Sequence, residues 1–582
     1  NGLNGSLEIG SAIYLHMKRN NIIICLFSGI TLLTACHDLD LNPLSYGSTE
    51  NWYSNETEIE MAVNELYRDT FWPLDEEGNT DWSDDNIYRE SLTPFQNATL
   101  NGQTDKVTDL WSKQYKVISR ANGVILKAHR AVEAGASEAK INGFIAEAHF
   151  HRACAYAKLS SKFGGIPLVE DDIDIETGMA MGRTDIAVVK QFVYDEFDVA
   201  AETLPVSYSG AQRATKGAAL ALKARYALYM GDYDIVVAAT KAVMDLGIYS
   251  LHKDYGDLFL TNTKNAEESI FLIPRSIEYN VVMNVRGWLP RNSGGYAVPN
   301  PTWELLASYT CIDGLPIDES PLFDSHDPFK NRDPRLSMTI VPFGENFLGI
   351  EFNPHPEALE VMNYKSGKMI SNNDSRAVAQ YASYNGLVWK KGMDESCLEN
   401  AHNIDPDKII IRYADILLMY AEAKIELNQI DQSVLDAMNE VRARAYGVDK
   451  SAVSQYPAFT MTNQNKLRSE LRMERRVEFA KEGLRYMDLM RWKLMDKVMN
   501  KKVYMMLYPA SLLIEKVVSQ GDWFWPYAPD IDENGLADFT KMESAGKIAV
   551  VAQKKWDERQ YLWPIPTTEI LINPNMKQNP NY

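Results

Sequence analysis

Cys36 is the residue whose neighbours specify its chemistry most narrowly. It follows Leu33-Thr34-Ala35, at the end of an apolar run from Ile22 to Leu33 that Met17-Lys18-Arg19 introduces. A short basic start, about a dozen apolar residues and small residues before the cut make a secretory signal peptide. The run falls short of the roughly 20 residues that a membrane-spanning helix needs. The order Leu-x-Ala-Cys looks like a bacterial lipobox, whose cysteine thiol receives lipid and becomes a new N-terminus; the competing reading is a plain signal peptide with a chance cysteine. On the lipobox reading, residues 1–16 are an upstream extension, 17–35 the signal peptide and 36–55 a polar tether. Acyl chains contribute about 0.8 kcal/mol per buried CH₂, and two or more hold a protein stably at a membrane.

A second kind of chemistry is carried by loops that mix aromatic and polar residues. Trp and Tyr rings offer a broad apolar face with a polar edge, and Asn, Asp and Arg beside them can fix hydroxyl groups, which is what a sugar ring requires. The stretch RGWLPRNSGGY, from Arg286 to Tyr296, supplies Trp288 and Tyr296 as platforms and Arg291 and Asn292 as donors. DWSDDNIY, from Asp81 to Tyr88, supplies Trp82 and Asn86, and Trp389 and the Trp523-Phe524-Trp525 cluster follow. Against each ring stands a role in core or loop packing. Trp111 and Trp492 fall within helical patterns, and Trp563-Pro564-Ile565-Pro566 near the end suits pinning a terminal strand or turn.

Other patterns suggest chemistry more weakly. Asp530, Asp532 and Asn534, followed by Gly535, match the opening of a calcium-binding loop, but Lys541 occupies the twelfth place, where a bidentate Glu belongs. A solvated acidic turn competes with calcium there, and no other cofactor is called for. His149 and His151 lie two apart and point to different sides of a helix, whereas a helical metal pair needs a spacing of four. Arg152 with Glu147, and Arg412 with Glu422, could do acid–base work, but such pairs more often form buried networks that fix helix packing. The charges of Glu474-Arg475-Arg476 and of Arg485 and Arg491 alternate along a helix, as on a solvated or scaffold-bracing face. There is no G-x-S-x-G and no phosphate loop.

The elements that must position these residues are mostly helical by period. Helices are expected over Asp105–Glu133, Glu138–Phe163 (stopped by Gly164-Gly165 and Pro167) and Asp185–Thr203. Lys216–Met230 and Asp234–Leu246 flank a Gly-Asp turn, and their many alanines let two backbones approach closely. Ile409–Asn428 and Ser433–Ala445 make a similar pair. This is the signature of a tetratricopeptide-like helical repeat. Residues 247–408 and 500–562 are instead rich in Gly, Pro and Asn, with strand-like runs at Ile270–Ile273 and Ser337–Val341. Loops this long are usually functional. The fold class is therefore mainly α: a tetratricopeptide-like scaffold with large loop-rich insertions and few short strands.

Composition narrows the function classes. A net charge of −20 argues against nucleic acid and against a basic membrane-binding face. Cys25 lies in the signal and Cys36 would carry lipid, which leaves Cys154, Cys311 and Cys397 without a disulfide framework, though one pairing is open.

Several segments, in order, carry a family resemblance: WSKQYKVISRAN (Trp111–Asn122), AEAHFHRACAYAKLSSKFGGIPL (Ala146–Leu168), Arg213–Leu251, NRDPRL (Asn331–Leu336), IIIRYADILLMYAEA (Ile409–Ala423), ERRVEFAKEGLRYMDLMRW (Glu474–Trp492) and the closing YLWPIPTTEILINPNMKQNPNY. With them the chain resembles the SusD/RagB family of outer-membrane nutrient-binding lipoproteins. The resemblance implies an N-terminal SusD-like helical region over 56–250 and a C-terminal region over 251–582 with ligand-binding loops and closing helix pairs. It also implies a lipid-anchored protein on the outer face of the outer membrane that captures oligosaccharides, or in some members peptides. Such a protein hands its ligand to a TonB-dependent transporter barrel, over which it closes as a lid, and is not an enzyme. The early acidic residues Asp38 and Asp40 agree with surface export. The rival class, a surface glycoside hydrolase, would need two carboxylates about 5 to 9.5 Å apart across a cleft.

Overall fold

The computed structural model describes residues 52–72, 83–210 and 212–582. Cys36, the signal peptide, the tether up to residue 51 and Trp82 lie outside the described residues. The unit from Asn55 to Tyr582 is mainly helical. Its longer helices are α1 (Glu56–Asn64), α2 (Asp105–Lys127), α3 (Glu138–Phe163), α4 (Ile186–Thr203), α5 (Lys216–Met230), α6 (Tyr233–Asp245), α7 (Tyr413–Glu426), α8 (Gln432–Ala445), α9 (Gln464–Glu478) and α10 (Arg485–Arg491).

Local chemistry sets these boundaries. The Thr215 side chain accepts the Ala218 N–H at the start of α5, and Asp185 and Asp431 do the same for the first turns of α4 and α8. Helix α5 ends at Gly231 (φ 79°), whose N–H caps the carbonyls of Ala227 and Leu228; this left-handed position favours glycine. Ala218, Ala221, Ala224 and Ala227 are fully buried, and their small size lets α5 and its neighbours pack closely.

The helices stack in a row. α2 packs on α3, α3 on α4, α4 on α5 and α5 on α6; α6 then packs directly on α7, and α7 on α8 and α9. The row is thus continuous across residues 247–408, which leave it after α6 and return before α7. Strand β1 (Ser269–Ile273) pairs antiparallel with β2 (Lys408–Arg412), Ser269 opposite Arg412 and Ile273 opposite Lys408, and closes the insertion at its base. A core around Trp303, Trp389 and Trp525 joins the insertion to residues 477–548. No helix of the described residues is long and apolar enough to cross a membrane.

Three expected elements differ. Ile409-Ile410-Ile411 belongs to strand β2 and not to the helix that follows; a short run of β-branched residues fits a buried strand as well as a helix. Of Ser337–Val341, expected as strand, residues 337–339 close a helical turn (Arg335–Thr339) in which the Asp333 carboxylate accepts the Arg335 N–H at 3.0 Å, and only Ile340 and Val341 make strand-like contacts, with Trp389 and Val388. The pattern from Glu474 to Trp492 is likewise two helices, broken where Lys481 and Gly483 adopt positive φ of 66° and 80°. Cys154, Cys311 and Cys397 are buried, and among the described residues none of them forms a disulfide.

Beneath the helices lies a buried ion-pair network, not a solvated charged face. Arg335 Nη1 donates to Glu474 at 2.7 Å and to Glu478 at 2.9 Å. Arg412 Nη1 reaches Glu268 at 2.6 Å and Glu478 at 2.7 Å, and Arg444 joins the same two carboxylates. On the other side of α9, Arg475 binds Asp415 of α7 at 2.9 Å and Asp488 of α10 at 3.0 Å, while Arg225 of α5 also binds Asp415 at 2.8 Å. Glu422 pairs with Arg491 at 2.7 Å. Arg152 pairs with Glu196 at 2.7 Å, and Glu147 with Arg213 at 2.9 Å. The acid–base candidates are therefore occupied in packing.

Burial alone would raise the Glu478 carboxyl, but the charges of Arg444, Arg412 and Arg335 hold it well below the ordinary glutamate range. Its contribution to stability is therefore complete above the unfolded value, about 4.3, and is lost as pH falls toward the folded value. Removing one partner of a buried network leaves the others uncompensated. Glu478→Ala is expected to lower stability by about 3–5 kcal/mol in urea denaturation at neutral pH, with a smaller loss at pH 3. A variant as stable as the parent at neutral pH would contradict this.

Candidate functional site

Asp84 and Asp85 tie the segment 83–91 to the scaffold. Arg476 of α9 donates to Asp84 at 2.9 Å and to Asp85 at 2.8 and 3.0 Å, and Arg485 of α10 donates to Asp84 at 2.9 Å. Burial raises the Asp84 carboxyl, yet Arg476 and Arg485 hold it well below the usual carboxylate range. Asn86 and Ile87 then pair with Asn300-Pro301. The chain emerges at Tyr88, which is 52% exposed, and turns at Arg89, whose φ is 51°.

Arg89 meets a second segment there. Its guanidinium lies 4.9 Å from the Tyr381 ring centre and 5.8 Å from that of Tyr384. Arg376 sits 3.9 Å from the Tyr384 ring centre and 3.9 Å from that of Tyr508. Tyr508 is brought in by the Met506 N–H, which donates to the Tyr384 carbonyl at 3.2 Å. Tyr381 and Tyr508 are each 49% exposed. Burial lowers the pKa of Arg376, while Tyr384, Tyr508 and Glu90 raise it and Arg89 lowers it further.

The loop 286–298 docks on the same segment. The buried Asp374 carboxylate accepts the N–H groups of Arg291 at 2.6 Å and Asn292 at 3.2 Å, and the Asn292 side-chain oxygen accepts the Asn373 N–H at 3.0 Å. The loop folds tightly on itself at Gly295, where a Cβ would collide with the Leu289 carbonyl oxygen. Segments 83–91, 286–298 and 372–385, far apart in sequence, thus form one connected surface.

The structure distributes the sequence-derived candidates as follows. Tyr296 is exposed beneath Arg286, 4.9 Å from its ring centre. Arg291 and Asn292 are half-buried at the Asp374 junction. Trp288 is half-buried and lines a cleft of about 550 Å³ with Phe259, Met283, Lys391 and Pro406; the Lys481 ammonium lies 4.3 Å from its ring centre. Asn86 and Trp389 need correcting as ligand contacts. They are 2% and 1% exposed, and Trp389 Nε1 donates to the Asn86 side-chain oxygen at 3.2 Å, so together they brace the base of the surface. Phe524 and Trp525 are core, and Trp523 packs half-buried against His355 at 4.8 Å. Trp111, Trp492 and Trp563 are buried.

Sequence reasoning missed Arg89, Arg376, Tyr381, Tyr384 and Tyr508. The signal lay in SRAVAQYASYNG (Ser375–Gly386), an irregular stretch with one arginine and two tyrosines. At the acidic turn, the Asp532 carboxylate accepts the N–H groups of Asn534 and Leu536 at 2.8 and 2.9 Å, and Asp530 pairs with Lys541 at 2.7 Å. These groups close a hairpin between Asp530-Ile531 and Ala537-Asp538.

Burial pushes the Asp374 carboxyl up to about 6, against the N–H bonds from Arg291 and Asn292. A raised carboxyl binds its proton more tightly in the folded state, so its contribution to stability falls as pH rises from the unfolded value, about 3.9, through about 6. Relative to Asp374→Asn, the parent is expected to lose roughly 2–3 kcal/mol of stability across that interval and to stay level above it. Denaturation midpoints of both proteins across pH check this; parallel curves would contradict it.

Comparison with known proteins supplies independent information. The SusD family model matches residues 260–582, and a second model, described as starch-binding associating with outer membrane, matches residues 45–228. SusD-like protein P25 of Formosa agariphila is 25% identical over 520 residues, covering 84% of this chain and 92% of the relative. A crystal structure of a SusD-like carbohydrate binding protein from Bacteroides fragilis superposes with a TM-score of 0.73 at 29% identity, covering 90% of this chain and 99% of the other. Surface glycan-binding protein A from Bacteroides fluxus shares the fold, with a TM-score of 0.58 at 19% identity over 91% of this chain and all (100%) of the other.

Proposed function

Because this chain belongs to the SusD family, we propose that it is a cell-surface lipoprotein that captures oligosaccharides and passes them to a TonB-dependent outer-membrane transporter, over whose barrel it closes as a lid. The observation that carries the reading is the surface on which Tyr381, Tyr384 and Tyr508 surround Arg89 and Arg376. Tyrosine faces stack on the apolar faces of sugar rings, and guanidinium N–H groups hold the oxygens around them. Loops on a rigid scaffold are the usual location for such recognition. The carbohydrate-binding relative from Bacteroides fragilis and the family description that joins starch binding to the outer membrane support the same reading. Capture needs no bond to be broken. Stacking and hydrogen bonding of modest strength raise the local concentration of ligand at the transporter, where handover becomes a short-range event.

The lipid-free chain from Leu39 onward is expected to be retarded by one class of polysaccharide in affinity electrophoresis and to release no new reducing ends from it. Tyr381→Ala and Tyr508→Ala should each weaken binding by about two- to tenfold. Binding of peptides and of no polysaccharide, or appearance of reducing ends, would contradict the reading. In cells, Cys36→Ala should move the protein from the outer-membrane fraction to the soluble one; unchanged fractionation would exclude Cys36 as the anchor.

A further inference from the structure

The proposed glycan-capture surface has an electrostatic feature that neutral sugars leave unused. Many arginines inside the fold are neutralised by carboxylates, Arg152 by Glu196, Arg335 by Asp333, Glu474 and Glu478, and Arg412 by Glu268, Glu478 and Glu482, and buried Arg332 is held by the carbonyls of Pro328, Leu306 and Tyr309. Acidic residues outnumber Lys and Arg by 79 to 59, so partners are plentiful. The contacts that hold Arg89 and Arg376 among the described residues are nevertheless with tyrosine rings. Among the described residues neither has a hydrogen-bonded or ion-paired carboxylate, and the Nε atom of each is buried without a partner. Both guanidiniums lie over the same ring, Tyr384, and the charge of Arg89 acts on Arg376. Glu90 lies close enough to influence Arg376 but is exposed. One loop away, Arg291 Nε and Asn292 Nδ2 are likewise buried and unpartnered.

Stacking fixes a guanidinium plane while leaving its N–H edges free, and those edges match the paired oxygens of a carboxylate or a sulfate. Hydroxyl groups could satisfy the donors but would leave two adjacent positive charges with only the exposed Glu90 near them among the described residues. We infer that the ligand is an acidic glycan, whose uronate carboxylate or sulfate ester groups are bound between Arg89 and Arg376 on the Tyr381–Tyr384–Tyr508 platform. This rests on the glycan-capture reading above and adds the chemical class of the ligand.

Calorimetry of the lipid-free chain from Leu39 onward tests it with two matched pairs: oligogalacturonate against its methyl ester, and a sulfated galactan against the same polymer desulfated. The arms separate carboxylate from sulfate. The expected result is binding of at least one charged form, with its neutral counterpart about tenfold weaker or more and with affinity falling as salt is raised. Arg376→Gln and Arg89→Gln should abolish that preference at an unchanged melting temperature. If Arg376→Gln fails to fold, Arg376→Lys, which keeps the charge and loses the planar fork, should reduce the preference. Equal binding of charged and neutral forms, or a preference that survives both arginine substitutions, would overturn the acidic-glycan inference and leave glycan capture standing. Silence toward neutral and charged glycans alike, with or without binding of polyglutamate, would overturn both.

Discussion

The buried carboxylate of Glu478 is the constraint on which the rest of the molecule hangs. It draws in Arg335 from the insertion, Arg412 from the strand at the insertion's base and Arg444 from α8. One position thereby fixes three parts of the chain against one another. The same helix, α9, sends Arg475 toward α7 and α10 and Arg476 toward Asp84 and Asp85. Burying charges is costly, and a network of this kind contributes little net stability compared with apolar packing. Its value is directional: each guanidinium reaches its carboxylates from one direction, which fixes the helices and the insertion in one relative position.

That frame reaches the surface through a short path. Arg476 and Arg485 hold Asp84, and Arg89 follows five residues later on the exposed face. Asp374 holds the loop 286–298 against the segment that carries Arg376. Because α6 packs directly on α7, the insertion interrupts the sequence but not the row of helices. The loops can therefore vary in length and composition without disturbing the scaffold, and ligand chemistry becomes a property of a few side chains at their tips.

Much of the scaffold was legible in sequence. Alanine-rich helices on either side of the Gly231-Asp232 turn and the similar pair over Ile409–Asn428 and Ser433–Ala445 mark α5 to α8, and periodicity finds α2 to α4, because these elements are specified by neighbours within a few turns. Ile409-Ile411 and Ser337-Val341 were misread for the opposite reason. Their conformations are set by distant partners, β1 for the first and, for the second, Glu474 and Glu478, which hold Arg335 at the start of its turn. The site was harder still. The loops at 81–88 and 286–296 were found from composition, but Asn86 and Trp389 proved to be each other's buried partner. Arg376 and Tyr508 gain meaning only when the fold stacks one on the other, and nothing local in the sequence announces that.

Hydrogen exchange, with and without a saturating glycan, tests most directly the claim that the ion-pair frame presents a ligand surface on the insertion loops. The account predicts slowed exchange confined to amides in 83–91, 286–298, 372–385 and around Tyr508, with α9 and α10 unchanged because their network is already closed. Protection centred on helices α2 to α5, or on the Trp288 cleft alone, would contradict it.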